Sequence, residues 1–218
     1  MDINKKRVVL AIAMFCLQLF ICGQAHTASI NLISQSYSVG VYGFGDENQL
    51  IYENINSPTP VFFEQSAYVK AYATGNVGQS TASLDVHIYE GVISGIASAS
   101  ITFCPTGALF IDYWGGIDTS DYLDNHGEIK MFDVTTSALV LNQIAEASEY
   151  WQGRHSAVHA LIPVHPSHTY LLVTKVWNGS PDWLIASAKI ALIPAPEPST
   201  MLLLGLGLIG LAGIRRKL

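Results

Sequence analysis

Cysteine, charge and long apolar runs are all scarce in this chain. It has three cysteines in 218 residues, charged side chains make up 13% of it, and no apolar run reaches the ~20 residues that cross a bilayer securely as a helix. Cys16 and Cys22 fall in an N-terminal segment that reads as a cleavable leader. The mature chain then keeps Cys104 alone, which excludes an internal disulfide. Its neighbours Thr102, Phe103 and Pro105 bring no cation to activate a thiolate, so the thiol reads as buried and inert rather than as a nucleophile. Basic residues are scarcer still. Outside residues 1–25 and 199–218 the chain has 5 of them against 16 acidic ones, a net charge of about −11. Such a surface has no basic stripe with which to displace counterions, which argues against nucleic acid as a partner. Also missing are GxSxG, a phosphate loop, HExxH and any carboxylate pair at a spacing that demands glycosidase chemistry. The expectation is a protein that is not an enzyme.

What the chain does have is concentrated first at its two ends. Lys5, Lys6 and Arg7 precede an apolar run over residues 8–21, broken only by Gln18 and followed by the small residues Gly23 and Ala25. Basic, apolar and small, in that order, is the plan of a secretory signal peptide cleaved after Ala25. A lipoprotein leader would need a small residue before the modified cysteine, and Ile21 precedes Cys22. At the other end, "PAPEP" leads into the stretch 201–214, which carries no charge and has glycine at 205, 207, 210 and 213, and then into Arg215, Arg216 and Lys217. As a helix that stretch reaches roughly 21 Å, short of the ~30 Å hydrocarbon core. That makes a marginal, temporary anchor, and the basic cluster should stay on the cytoplasmic side as a membrane stop. The prolines deny the upstream residues helical hydrogen bonds, leaving the motif extended at the outer face.

Pro196, Glu197, Pro198, Ser199 and Thr200, followed by the Leu/Gly-rich span and Arg215, Arg216 and Lys217, closely resemble the PEP-CTERM sorting signal of Gram-negative bacteria. The resemblance is confined to the C-terminal end of the chain, from Pro194 onward. It implies recognition by an exosortase, an integral membrane enzyme, with processing near the motif and passage to the cell surface or medium after a transient stay at the inner membrane. It also implies an association with exopolysaccharide, biofilm or floc. The tail lacks the Leu-Pro-x-Thr-Gly of a sortase signal, and a GPI signal would lack the terminal basic cluster.

Between a leader at 1–25 and a sorting signal at 194–218 lies a body, residues 26–193, rich in short strand-like stretches. In "SLDVHIYE" Leu84, Val86 and Ile88 alternate with Asp85, His87 and Tyr89, and in "EIKMFDV" Ile129 and Met131 alternate with Lys130 and Phe132. Period two marks a strand with one buried face. Further strands are expected at 30–41, 67–73, 95–103, 109–114, 157–162, 169–177 and 184–192. Turns are expected at Thr74-Gly75-Asn76, Gly115-Gly116, Asn125-His126-Gly127, 163–166 and 178–181. About nine such strands point to an all-β, antiparallel sandwich, jelly-roll-like, with a leader before it and a short hydrophobic helix after it. The stretch 137–151 also fits a helical stripe through Leu139, Gln143, Ile144 and Ala147, so one short helix is an alternative there.

Three clusters are candidate sites. His155, His159, His165 and His168 crowd the stretch 155–168, and His155 and His159 would share a strand face. No nearby carboxylate or motif completes a metal site, so they read as solvent-facing or hydrogen-bonded. Asp118, Asp121, Asp124 and Glu128 crowd one turn-rich stretch whose oxygens suit calcium, although the EF-hand spacing fails because Tyr122 and Leu123 occupy ligand positions. Tyr113, Trp114 and Tyr122 beside those acids are the side chains that stack a pyranose and bond its hydroxyls, with Trp114, next to Gly115-Gly116 at a strand end, the best exposed. The reading is therefore an exported, non-enzymatic surface or matrix protein that needs no cofactor. One alternative is a carbohydrate-binding module, with or without calcium, and another is a secreted glycoside-active hydrolase.

Overall fold

The computed structural model describes residues 28–44, 50–64, 70–89, 92–119, 125–146, 154–178 and 183–194. Ala28–Ile193 forms one compact unit. The leader and the sorting signal, Pro194 apart, lie outside the described residues, as does the hydrophobic helix expected at the C-terminus. Among the described residues no helix is long and apolar enough to cross a membrane.

The unit is all β. Its strands are β1 (Ser29–Phe44), β2 (Leu50–Ser57), β3 (Val61–Glu64), β4 (Lys70–Val77), β5 (Thr81–Ile88), β6 (Val92–Thr106), β7 (Ala108–Thr119), β8 (His126–Asp133), β9 (Ala138–Glu146), β10 (Arg154–Pro163), β11 (Tyr170–Asn178) and β12 (Leu184–Pro194). They form two six-stranded sheets, β2-β1-β6-β11-β8-β9 (sheet A) and β10-β7-β12-β5-β4-β3 (sheet B). From β5 to β8 every connection crosses from one sheet to the other, which makes the sandwich jelly-roll-like and places chain neighbours in opposite layers.

The cause is the alternation already visible in the sequence. In β5, Leu84, Val86 and Ile88 are fully buried, as are Ile129 and Met131 in β8 and Leu184, Ala186 and Ile190 in β12. A one-residue slip of any of these strands would turn its apolar row to water, so burial sets the register. Small residues let the two sheets approach and line the core at Ala71, Ala73, Ala82, Ala97 and Ala99.

Three expectations need correction. The 137–151 stretch does not supply a helix in its described part: Ala138–Glu146 is β9, paired antiparallel with β8 from His126↔Glu146 to Asp133↔Ala138. Tertiary pairing overrides a mixed local period there. Gly75, Gly115 and Gly116 lie inside β4 and β7 rather than in turns, and the turn assigned to 125–127 is the start of β8, with Gly127 opposite Val176. In strand interiors a glycine marks close approach. A Cβ on Gly75 would stand 2.7 Å from Tyr37 Oη, and one on Gly127 would collide with Ile117 Cγ2. The third correction is the count: β2, β3 and β9 escaped the reading.

Candidate glycan-binding face on sheet B

The outward row of β7 carries Asp112, Trp114, Gly116 and Asp118, and that of β10 carries His155, Ala157, His159 and Leu161. The register sets His159 opposite Trp114. Their rings stack with centroids 3.7 Å apart and planes inclined by 16°. His159 Nε2 lies 2.7 Å from Asp112 Oδ1. The bond to His159, and then one to Trp114, hold the Asp112 carboxyl below the usual carboxylate range. A ring tied at its edge and stacked on one side has little rotamer freedom left to lose on binding. Trp114 nonetheless remains 51% exposed.

Beside it the sheet has a low floor. Gly116, Ala157 and Ser187 carry little or no side chain, and a Cβ built on Gly116 would meet only Ser187 Oγ, at 3.7 Å. The result is a shallow concavity of about 530 Å³ lined by Trp114, His159, Ser83, Asp85, Ser187 and Lys189 among others. Ser187 faces Asp85 and Lys189 faces Ser83 across the β12–β5 ladder. Burial raises the Asp85 carboxyl above its ordinary value. One half-exposed indole, two hydroxyls, a carboxyl and an ammonium on a single face form a largely apolar recess with polar groups along it. Its chemistry suits a sugar ring, apolar on its C–H face and polar at its rim.

The other expected site residues fall as follows. Tyr113 points inward and is fully buried, donating to Gln143 Oε1 at 2.6 Å, which removes it from any glycan contact. Trp114 sits in mid-strand, not at a strand end. Asp118 is on the outer face of sheet B, 3.9 Å from His155, whereas Glu128 is on the outer face of sheet A with Lys130 as its partner. Those two carboxylates stand on opposite sides of the sandwich and do not share an ion. Asp121, Asp124 and Tyr122 lie outside the described residues, as do Pro196, Glu197, Pro198, Ser199, Thr200, Arg215, Arg216 and Lys217.

The histidines divide among separate partners. His155 and His159 do share a face, His165 bonds Ser167 Oγ at 2.7 Å, and His168 Nδ1 lies 2.7 Å from Asp133 Oδ2. Cys104 is only partly buried, 3.5 Å from the Pro166 carbonyl. Trp177, half-buried on sheet A, lies against His126 at 3.6 Å with Lys175 Nζ 4.6 Å from its centroid, so its ring is already engaged.

Sequence reasoning missed Asp112, His159, Ser187 and Lys189 as companions of Trp114. They come from β7, β10 and β12, and only the sheet order brings them together. The available signal was the alternation itself, which puts Asp85 and His87 on the outward face of β5.

Fold and face together describe an all-β sandwich with an aromatic recess on one sheet. Its tail is more specific: residues 194–217 match the PEP-CTERM protein-sorting motif, so the chain carries this sorting signal, the mark of an exported protein processed at the membrane. No curated protein matches the chain. Among solved structures it is similar to TmCBM61 in complex with β-1,4-galactotriose, with 10% identity, a TM-score of 0.31, and 81% of this chain and 94% of that one covered. It is also similar to the VP2 subviral particle of infectious bursal disease virus, at 11% identity and a TM-score of 0.30, covering 79% of this chain and 59% of that one. A third is the family 11 carbohydrate-binding module of Clostridium thermocellum with a β-1,3-1,4-mixed-linked tetrasaccharide, at 6% identity and a TM-score of 0.24, covering 72% and 98%. Nothing about this chain's own ligand follows from likenesses at this level.

Proposed function

We propose that this protein is a non-catalytic component of the cell surface or extracellular matrix, released by an exosortase-type enzyme, whose body holds polysaccharide on the outer face of sheet B. The observation that carries this reading is Trp114, half-exposed and fixed by His159 and Asp112 above a floor of small residues. A neutral hexose stacks on the indole, and its hydroxyls meet Ser83, Asp85, Ser187 and Lys189. Calcium has no part in this contact.

Affinity electrophoresis of the mature protein in gels of the producing cell's own exopolysaccharide tests the reading. Retardation is expected. Trp114→Ala should weaken it at least tenfold, which is about 1.4 kcal/mol, with an unchanged urea midpoint. Gly116→Leu should fill the recess and block binding with the fold intact. Retention should survive excess chelator, and no reducing ends should appear. Equal retardation of wild type and both variants would sink the sheet B site. Loss on chelation would put a metal in it, and turnover would make the protein a hydrolase.

A further inference from the structure

The exposed large hydrophobics of the sandwich gather at one end, mostly on strand termini beside its polar turns, and it is the end from which the chain departs. The β1 start meets the β6 end at Ser29↔Thr106, the β11 start meets the β8 end at Tyr170↔Asp133, and the β10 end meets the β7 start at Pro163↔Phe110. The β12 end meets the β5 start at Ala191↔Thr81, and Leu192 N donates to Ser80 O. All these termini therefore share one end, and β12 leaves it at Pro194, where the sorting motif begins. Among the described residues thirteen large hydrophobic side chains are exposed, and eight of them lie here. Leu109, Phe110, Leu161 and Ile193 belong to sheet B, while Leu32, Ile33, Val134 and Leu139 belong to sheet A or its turns. Leu161 and Ile33 are 61% and 59% exposed. Isolated exposed hydrophobics are ordinary, but this concentration at one end is not.

We propose that this end rests on the lipid bilayer for as long as the tail holds the protein there. The proposal depends on the sorting reading of the tail and not on the glycan reading of sheet B. Only positions 195–200 separate Pro194 from the apolar run, so the anchor follows this end directly in the sequence. The connections at this end, 78–80, 107, 134–137 and 164–169, contain no lysine or arginine. Asp133, a buried carboxylate at this end, is bonded to His168. The contact is thus apolar, made with the acyl boundary of any lipid rather than with anionic headgroups. The run 201–214 is a marginal span, and the apolar end adds hold to it. Removal of the tail ends the tether, and the body leaves.

The test uses the full chain with its native cysteines changed to serine, reconstituted in phosphatidylcholine vesicles and recovered by flotation. A polarity-sensitive fluorophore is attached at Leu161→Cys, at Val134→Cys, or at Asn54→Cys, which is exposed far from this end. Emission at 161 and 134 should shift to the blue and be quenched by brominated lipid, with 54 unaffected. Floated chains whose labels at 161 and 134 behave like the one at 54 would overturn the proposal alone. Labels shielded from iodide yet untouched by brominated lipid would overturn it in favour of a covering protein. Chains that fail to float would overturn the anchor together with it.

Discussion

At the residue scale, two adjacent glycines in β7 have opposite roles. Gly115 faces inward, and a Cβ there would collide with Tyr113 Oη and Gln143 Oε1. Gly116 faces outward, where a Cβ would make only an ordinary contact with Ser187 Oγ at 3.7 Å. Gly115→Ala should therefore cost about 2 kcal/mol or more, by overpacking and by breaking the buried Tyr113–Gln143 bond. Gly116→Ala should stay within about 0.5 kcal/mol of wild type. Equal urea midpoints for the two variants would contradict this. His87 supplies a second residue-scale prediction. Its ring stacks on Tyr89 at 3.9 Å and meets the edge of Tyr72, and burial lowers its pKa from 6.5 to about 4. As pH falls below about 6.5 the unfolded chain takes up a proton that the folded chain refuses, so stability declines until about pH 4 and is untouched above that window. His87→Phe keeps the stacking and should flatten this part of the stability profile measured by urea denaturation. An unchanged acid slope in the variant would assign the loss to other groups.

At the element scale, β9 shows how an edge strand is secured. Among the described residues its backbone ladder is with β8 alone, yet Gln143 turns inward from it and reaches the other sheet. Its amide accepts from Tyr113 Oη and donates to the Ser156 carbonyl at 2.8 Å. One side chain thus ties β9 of sheet A to β7 and β10 of sheet B. Gln143→Ala would leave the Tyr113 hydroxyl buried without its acceptor, at about 1–3 kcal/mol. Hydrogen exchange should quicken at β9 amides before those of β6 or β11, and uniform quickening would show that β9 is not an independent unit. The same element explains a misreading. Polar Gln143 among Leu139, Ile144 and Ala145 spoils a period-two pattern, because the residue is buried for its bonds and not for its polarity.

At the scale of the whole molecule, the proposed function gives export, tethering and release to the termini and contact with polymer to the body. Changing Glu197, or deleting Arg215 to Lys217, should leave precursor of full mass in the membrane fraction of the producing cells, with the body's fold unchanged. Normal maturation of both variants would reduce the tail to a plain anchor. The mature body should retain its polysaccharide binding after tail removal, since Trp114 and its partners all lie within Ala28–Ile193.

Order along the chain was enough to reveal the sorting signal, the all-β class and the alternating core rows of β5 and β8, because each is a local pattern over a few consecutive residues. The recess was not visible in that way. Trp114 and His159 lie on strands far apart in the chain, and Ser187 arrives from a third; what makes them neighbours is strand order and register. Those were decided by how two sheets close on one another, with Tyr37 against Gly75 and Ile117 against Gly127, a fit that exists only once both layers are in place.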